Sequence, residues 1–481
     1  MAKRLKILFI ASEAAPFIKV GGLGDVAGAL PPALRALPEK PDLRLVIPLH
    51  PQIDQTAYTL TPVASFDVKH KKGPIKAEVY QTKLKGLPVY LIGGEPLHGE
   101  GSVYSTNTKK DGLKFTFFSL AALELAKVLD WKPDVLHAQD WHTAPAIYAL
   151  KTIYQDDSFF AGIPTLLTVH NLPYLGNGTG PALKAFGLKP AKNSKLPEWA
   201  QGFPLPLALL TTDKINTVSE GYAGEMLTKP FGSGLHTFLK SRKDDLIGIV
   251  NGLDLDAWDP QTDKAIAQNF SIDALKERQA NKLALQSEVG LPEAPDVPLL
   301  AFIGRMDYQK GIEIALGALR KIKSLDWQAV ILGTGDPEIE EKARQLAEKF
   351  PDKVKAVIAF DGGLARRIYA GADIMMIPSR YEPCGLIQMI AMRYGCVPVA
   401  RATGGLRDTI KDVDEGTGST GFLFEKATQK DMAAALQRAL AVYPDKRRWP
   451  NLQKRGMRQD FSWEKSAQQY LDVYQELASQ E

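Results

Sequence analysis

Short apolar runs that end in polar residues recur along this chain, and helical stretches separate them. "LKILFIAS" (5–12), "LRLVIPL" (43–49), "PDVLHAQD" (133–140), "IPTLLTVHN" (163–171) and "TDKINTVSE" (212–220) are the first five. Each reads as a short strand ending in polar residues, and the most apolar, "LKILFIAS", reads as one buried in a parallel sheet. "FTFFSLAALELAKVL" and "TAPAIYALKTIY" read as helices, and "DVAGALPPALRAL" (25–37) as a helix interrupted by its prolines. Strand and helix in alternation mean a parallel sheet covered by helices on both faces. The pattern restarts after "LIGIVNGLDLDAWDP" (246–260). There "PLLAFIGRM", "DWQAVILGTGD", "VKAVIAFDGG", "ADIMMIPSR", "CVPVARATGG" and "TGFLFE" follow one another with helices between. A chain of 481 residues is too long for one ordinary core. The reading is two doubly wound α/β domains divided near residue 245, with the tail "FSWEKSAQQYLDVYQELA" as one amphipathic helix.

Composition narrows the function classes. Hydrophobic residues make up 45% and charged residues 24%, as in soluble globular proteins. A net charge of +4 is small for this length and gives no reason to expect nucleic acid or a membrane as partner. No stretch is long and apolar enough to span a bilayer. The start "MAKRLKILFIASEAAP" imitates a signal peptide, but its apolar run is short and Glu13 closes it, so it reads as a buried first strand. Cys384 and Cys396 share one helical stretch and suggest no disulfide framework. A reducing, cytoplasmic setting is expected.

Ligands bind parallel sheets at the carboxyl ends of strands. The polar residues there are Lys19, Asp140, His142, His170, Asn171, Arg305, Lys310 and Glu382. The glycine-rich stretch 12–31 fits neither a P-loop, because Lys19 precedes the glycines, nor the dinucleotide fingerprint. "GRMDYQKG" (304–311) puts two cations between a strand and a helix, which suits a diphosphate and equally suits a solvated loop. In "SRYEPCGLIQMIAMRYG" (379–395), Glu382 precedes a helix start. Its carboxylate would repel a phosphate but bind sugar hydroxyls, or it simply caps the helix. Cys384 reads as a small packing thiol rather than a nucleophile. "RATGGLRDTI" (401–410) is a second glycine-rich turn, touching a phosphate or merely turning.

Taken in order, "KVGGLGDV", "QDWHT", "TVHN", "GIVNG", "GRMDYQKG", "EPCGLIQMIAMRYG", "TGGLRDT" and "DFSWEKSAQQYLDVY" resemble the bacterial glycogen synthase and starch synthase family from about residue 6 to the tail. The resemblance implies a GT-B glycosyltransferase: two Rossmann-like domains, 1–245 and 246–462, facing across a cleft, with 463–481 returning as a helix to the first. It implies transfer of glucose from ADP-glucose to the non-reducing end of an α-1,4-glucan, with retention. By the same matching, Glu382, His170, Asp140, Lys310 and Arg305 are the catalytic group. Lys19, Gly21, Gly22, Asn251, Phe360, Cys384, Gly385, Leu386, Thr403 and Gly404 join Arg305, Lys310 and Glu382 in holding the donor. The glycines are expected to bring backbone N–H groups to the diphosphate, and Phe360 to meet the base. Tyr104, Asp140 and Trp141 are assigned to the acceptor. No metal is expected. The Asp254-Leu255-Asp256 triplet sits at the crossover between domains and reads as structural. Gln139 and Glu220 depart from the family pattern, as does the less acidic loop 105–115. Competing readings are a GT-B transferase using UDP-glucose or a small acceptor, and a catalytically silent glucan-binding relative. The presence of Lys19, Arg305, Lys310 and Glu382 weighs against the latter.

Overall fold

The computed structural model describes residues 4–99 and 101–479. The chain up to Gly252, together with the stretch from Trp463 onward, forms one compact unit, and Leu253–Ser462 forms a second. The first is built on a sheet of β1 (Lys6–Ile10), β2 (Asp42–Pro48), β3 (Thr61–Val68), β4 (Ile75–Leu84), β5 (Leu87–Gly93), β6 (Val135–Gln139), β7 (Thr165–Val169), β8 (Lys214–Thr217) and β9 (Leu246–Gly248). Their spatial order is β3-β4-β5-β2-β1-β6-β7-β8-β9. All neighbouring pairs are parallel except β3 with β4 and β4 with β5.

Alternation along β1 explains why it is apolar from Ile7 to Ile10. Ile7 and Phe9 enter the core shared with the helices Gly22–Ala36 and Trp463–Ala478. Leu8 and Ile10 enter the core on the other face, with the helices Thr108–Val128 and Asp140–Leu150. Each such side chain, fully buried, contributes about 1.5–3 kcal/mol. The helix Gly22–Ala36 runs unbroken through Pro31 and Pro32, contrary to the expected interruption. Its buried face, Leu23, Val26, Ala27, Leu30, Pro31 and Leu34, offsets the two missing backbone donors.

The second unit carries β10 (Leu299–Ile303), β11 (Gln328–Gly333), β12 (Val354–Ile358), β13 (Ile374–Ile377), β14 (Val397–Arg401) and β15 (Phe422–Phe424). The order is β12-β11-β10-β13-β14-β15, every pair parallel. The winding reverses between β10 and β13 here, and between β1 and β6 in the first sheet. Those reversals are where open parallel sheets bind ligands.

The boundary expected near residue 245 moves to Gly252. The reason is β9, which pairs with β8, and the Ile249 N–H, which donates to Thr217 O at 2.9 Å. The helix Trp463–Ala478 docks on the first unit through a buried polar chain. The Tyr474 hydroxyl bonds His137 Nδ1 at 2.8 Å, His137 Nε2 bonds Thr168 Oγ1 at 2.7 Å, and Asn216 Nδ2 donates to Thr168 Oγ1 and the Tyr470 hydroxyl. Among the described residues, no helix is long and apolar enough to cross a membrane.

Tyr474→Phe leaves His137 Nδ1 buried without its partner. A loss of about 1–3 kcal/mol is expected, read in urea or thermal unfolding as earlier release of the first unit. An unchanged midpoint would show that the hydroxyl contributes nothing to docking.

Candidate active site

In the second unit, the loops after β10, β13 and β14 meet at the winding reversal. Lys310, from the first loop, places Nζ 2.6 Å from Glu382 Oε2 in the second; the Glu382 side chain is buried and that of Lys310 partly so. The Ser379 hydroxyl donates to the same oxygen at 2.8 Å. The Gly405 N–H, from the third loop, donates to Glu382 O at 3.1 Å. The third loop must approach closely. A Cβ on Gly404, whose φ is +44°, would lie 2.2 Å from Glu382 O, and one on Gly405 would lie 2.2 Å from Cys384 O. Glu382 therefore does not cap the following helix, which begins at Ile387 with Leu386 as its N-cap.

Arg305 differs from Lys310. Its side chain is 60% exposed, with Nη1 2.6 Å from Asp307 Oδ2 and Nη2 donating to Gln309 Oε1 at 3.1 Å. Cys384 is a buried thiol, Gly385 turns with φ +77°, and Thr403 is buried as N-cap of the helix Gly404–Thr409. Phe360 is 96% exposed and follows β12, two strands from β10, about 10 Å across the sheet by strand spacing. The structure does not bring it into the three-loop cluster. Tyr308, on the Arg305 loop, is the exposed aromatic there, with the Arg380 guanidinium 4.1 Å from its ring centre. In the sequence, Tyr308 sits between Arg305 and Lys310 with nothing in its spacing to set it apart from a solvated loop residue.

In the first unit, the ends of β1, β6 and β7 supply Ser12, Glu13, Gln139, Asp140, His170 and Asn171. Asp140 is buried in the left-handed region, with φ +55°, a strain that cores seldom keep without function. Its Oδ1 accepts the N–H groups of His170 at 2.7 Å and Asn171 at 3.4 Å. Burial pushes its carboxyl up to about 7, although those two N–H groups pull the other way. Burial pushes His170 down to about 3, so its ring is neutral at neutral pH and pairs with Gln139 Oε1 at 2.8 Å. Gln139, a departure from the family pattern, is thus the partner that orients His170. The Tyr104 ring lies 4.7 Å from that of His142, which lies 4.2 Å from that of Trp141, and the Tyr104 hydroxyl bonds Ser12 Oγ at 2.9 Å. Asn251 is buried in the segment after β9.

Lys19 is half exposed and pairs with Asp25 at 2.7 Å. The expectation for Gly21 needs correction. Its N–H, and that of Val20, are taken by the Glu13 carboxylate, Gly21 at 3.2 Å, and so do not point freely toward a ligand. Gly22 opens the helix with nothing near its Cβ position. Glu13 itself was missed. The rule that singled out Asp140 and His170, a polar residue at a strand end, applies to it equally. Asp254 is engaged in a turn, its Oδ1 accepting the N–H groups of Asp256 and Ala257.

The family description "Starch synthase catalytic domain" matches residues 6–241, and "Glycosyl transferases group 1" matches residues 287–455. The glycogen synthases of Geotalea daltonii and Thermotoga maritima are 41% and 39% identical to this chain over 478 and 481 residues. Each alignment covers 98% of this chain and 98% of the relative. Among solved structures, the catalytic domain of starch synthase IV from Arabidopsis thaliana, bound to ADP and acarbose, is similar with a TM-score of 0.90 at 32% identity, over 99% of this chain and 100% of that one. A sucrose-phosphate synthase from Thermosynechococcus elongatus shares the fold, with a TM-score of 0.62 at 20% identity over 99% of this chain and 100% of its own. Two parallel-sheet units, each with polar side chains gathered at its winding reversal, are those of a GT-B glycosyltransferase. Within that class the match over nearly the whole length is decisive: the chain belongs to the glycogen synthase and starch synthase family.

Asp140→Asn keeps an oxygen acceptor for both N–H groups and removes a carboxylate buried at a cost. A carboxyl raised in the folded state contributes most below its unfolded value near 4, and that contribution is lost as pH rises through about 7. The variant is therefore expected to gain stability relative to the parent between pH 5 and pH 8, while losing turnover. Parallel stability curves over that range would contradict the assignment of the raised value.

Proposed function

We propose that the protein is an ADP-glucose:1,4-α-glucan 4-α-glucosyltransferase, a glycogen (starch) synthase that extends the non-reducing end with retention. The observation that carries this reading is the Lys310–Glu382 pair at the winding reversal, its carboxylate buried, with the exposed cation Arg305 on the lysine's loop. Glu382 suits sugar hydroxyls, and the two cations suit the charge that grows on the departing diphosphate. In the proposed front-face step, the bond from C1 to the phosphate oxygen breaks while the acceptor hydroxyl bonds C1 on the same face. The leaving phosphate takes the acceptor's proton. The protein contributes positioning and charge stabilisation. The His170 peptide, fixed by its N–H bond to Asp140, faces the sugar in this reading, and Trp141 and Tyr104 meet the glucan. Lys19, Gly22, Asn251, Cys384, Gly385, Leu386, Thr403 and Gly404 complete the donor contacts. Two buried cysteines kept as thiols support a cytoplasmic setting. No divalent ion takes part in the proposed step, because cations of the chain meet the phosphate charge and Asp254 serves its own turn.

The direct test is elongation of a glucan primer with ADP-glucose against UDP-glucose, before and after EDTA treatment and dialysis. Elongation by ADP-glucose that survives EDTA is expected. Preference for UDP-glucose would redirect the donor, and activity restored only by magnesium or manganese would overturn the metal-free step.

Arg305→Ala separates turnover from folding, because the side chain is exposed. A charged hydrogen bond contributes roughly 1.5–3 kcal/mol, so kcat/KM is expected to fall about tenfold to over a hundredfold. Its unfolding midpoint should not move. Lys310→Ala should cost activity and also stability, since it strands a buried carboxylate, a loss of about 3–5 kcal/mol. Parental turnover in Arg305→Ala would remove it from the site.

A further inference from the structure

We propose that Glu13 is a positioning residue that fixes the backbone of the Lys19 loop for the donor, an inference that rests on Lys19 being a donor contact. Glu13 follows β1 at the winding reversal and is only 1% exposed. Its Oε2 accepts the N–H groups of Val20 and Gly21, which closes residues 13–21 into a ring around one carboxylate. The Tyr104 hydroxyl bonds the carboxylate as well and holds it in place from another segment. The contact has no slack. A Cβ on Gly24 would lie 3.1 Å from Glu13 Oε2 and 3.2 Å from Lys19 Cα, so carboxylate, loop and first helical turn are packed together.

Helix capping accounts for only half of what this carboxylate does. Gly21 is the N-cap, so its N–H is an orphan donor of the helix Gly22–Ala36, but Val20 lies outside the helix and its N–H is held by the same oxygen. The charge of Lys19 is met elsewhere, by Asp25. Thus one acid orients the ammonium and another fixes the backbone that carries it. Glu13 touches no reacting atom in this scheme and acts through Lys19.

The test uses the full-length chain with Glu13→Ala, Glu13→Gln and Gly24→Ala. Amide exchange reads the loop without substrate: protection at Val20 and Gly21 should vanish in Glu13→Ala and persist in Glu13→Gln, whose amide oxygen still accepts. With ADP-glucose, kcat/KM for the donor should fall about 100-fold in Glu13→Ala, the size of effect a misplaced contact of about 1 Å produces, and recover most of the way in Glu13→Gln. The KM for glucan should stay near the parental value. If Glu13→Ala does not fold, Gly24→Ala should show the same donor defect, because its methyl presses on Lys19. Donor kcat/KM at the parental level in Glu13→Ala, or an equal loss for donor and glucan together with protection lost throughout the first unit, would overturn the proposal. Parent protein inactive with ADP-glucose would overturn the reading of the donor instead, and the exchange pattern would still decide whether Glu13 holds the loop.

Discussion

An aspartate placed one residue before a strand takes the first N–H of the neighbouring strand, and it does so at both winding reversals. Asp134 precedes β6 and accepts the Lys6 N–H, at the start of β1, at 2.8 Å. Asp373 precedes β13 and accepts the Leu299 N–H, at the start of β10, at 2.9 Å. Asp213, before β8, does the same for Thr165 of β7 at 2.7 Å. Each bond pins the register of a parallel pair at its amino edge. Strands of matched length then deliver their last residues together at the opposite edge. The alignment of Glu13 with Asp140, and of Lys310 with Glu382, is set at the far end of the sheet.

The two edges of β13 treat charge differently. At the amino edge, Asp373 is surrounded by Lys282 at 2.8 Å and Arg278 at 3.5 Å, and these cations also donate to backbone carbonyls of neighbouring segments. Every charge there is spent on holding the scaffold. At the carboxyl edge, Glu382 is met by one lysine and one hydroxyl, and Arg305 stands largely in solvent. A buried ion pair is weak evidence for stability, since desolvation consumes most of its Coulombic gain. A pair placed at the winding reversal, beside an exposed arginine, fits the binding role proposed above.

The strand–helix alternation was legible because buried parallel strands are mostly apolar, and this made the parallel core of both sheets readable from the sequence pattern. The antiparallel edge strands β3 and β4 were not, since their half-exposed alternation is diluted by lysine and threonine. The helix through Pro31 and Pro32 escaped a local rule because tertiary burial decided it. β9, only three residues long, was invisible as a strand and so the division between units was set too early. Among candidate site residues, those at strand ends were legible as a class, and family resemblance chose among them. Phe360 was placed by resemblance alone, and its edge strand keeps it out of the three-loop cluster. What Glu13 does was illegible for a different reason: its partners are backbone N–H groups, which no side-chain pattern reveals.

Part of the cost carried by the first unit falls around Asp140 and His170. Gln139 Nε2, His142 Nδ1, Asn171 Oδ1 and Asn251 Oδ1 are buried polar atoms without a hydrogen-bond partner among the described residues. Each such atom costs about 1–3 kcal/mol. Gln139, His142 and Asn171 are neighbours of Asp140 and His170, at the carboxyl ends of β6 and β7. Asp140 adds a left-handed backbone and a buried carboxyl, and its charge is opposed by Glu13 nearby. By contrast, the polar chain of His137, Thr168, Asn216 and Tyr474 under the same sheet is linked throughout, with Asn216 Oδ1 its one unpaired atom among the described residues. Stability alone would favour the second arrangement. In the function proposed above, the groups left unsatisfied around Asp140 and His170 are the ones a ligand would meet. The large cores on both faces of the sheet supply the stability that this site gives up.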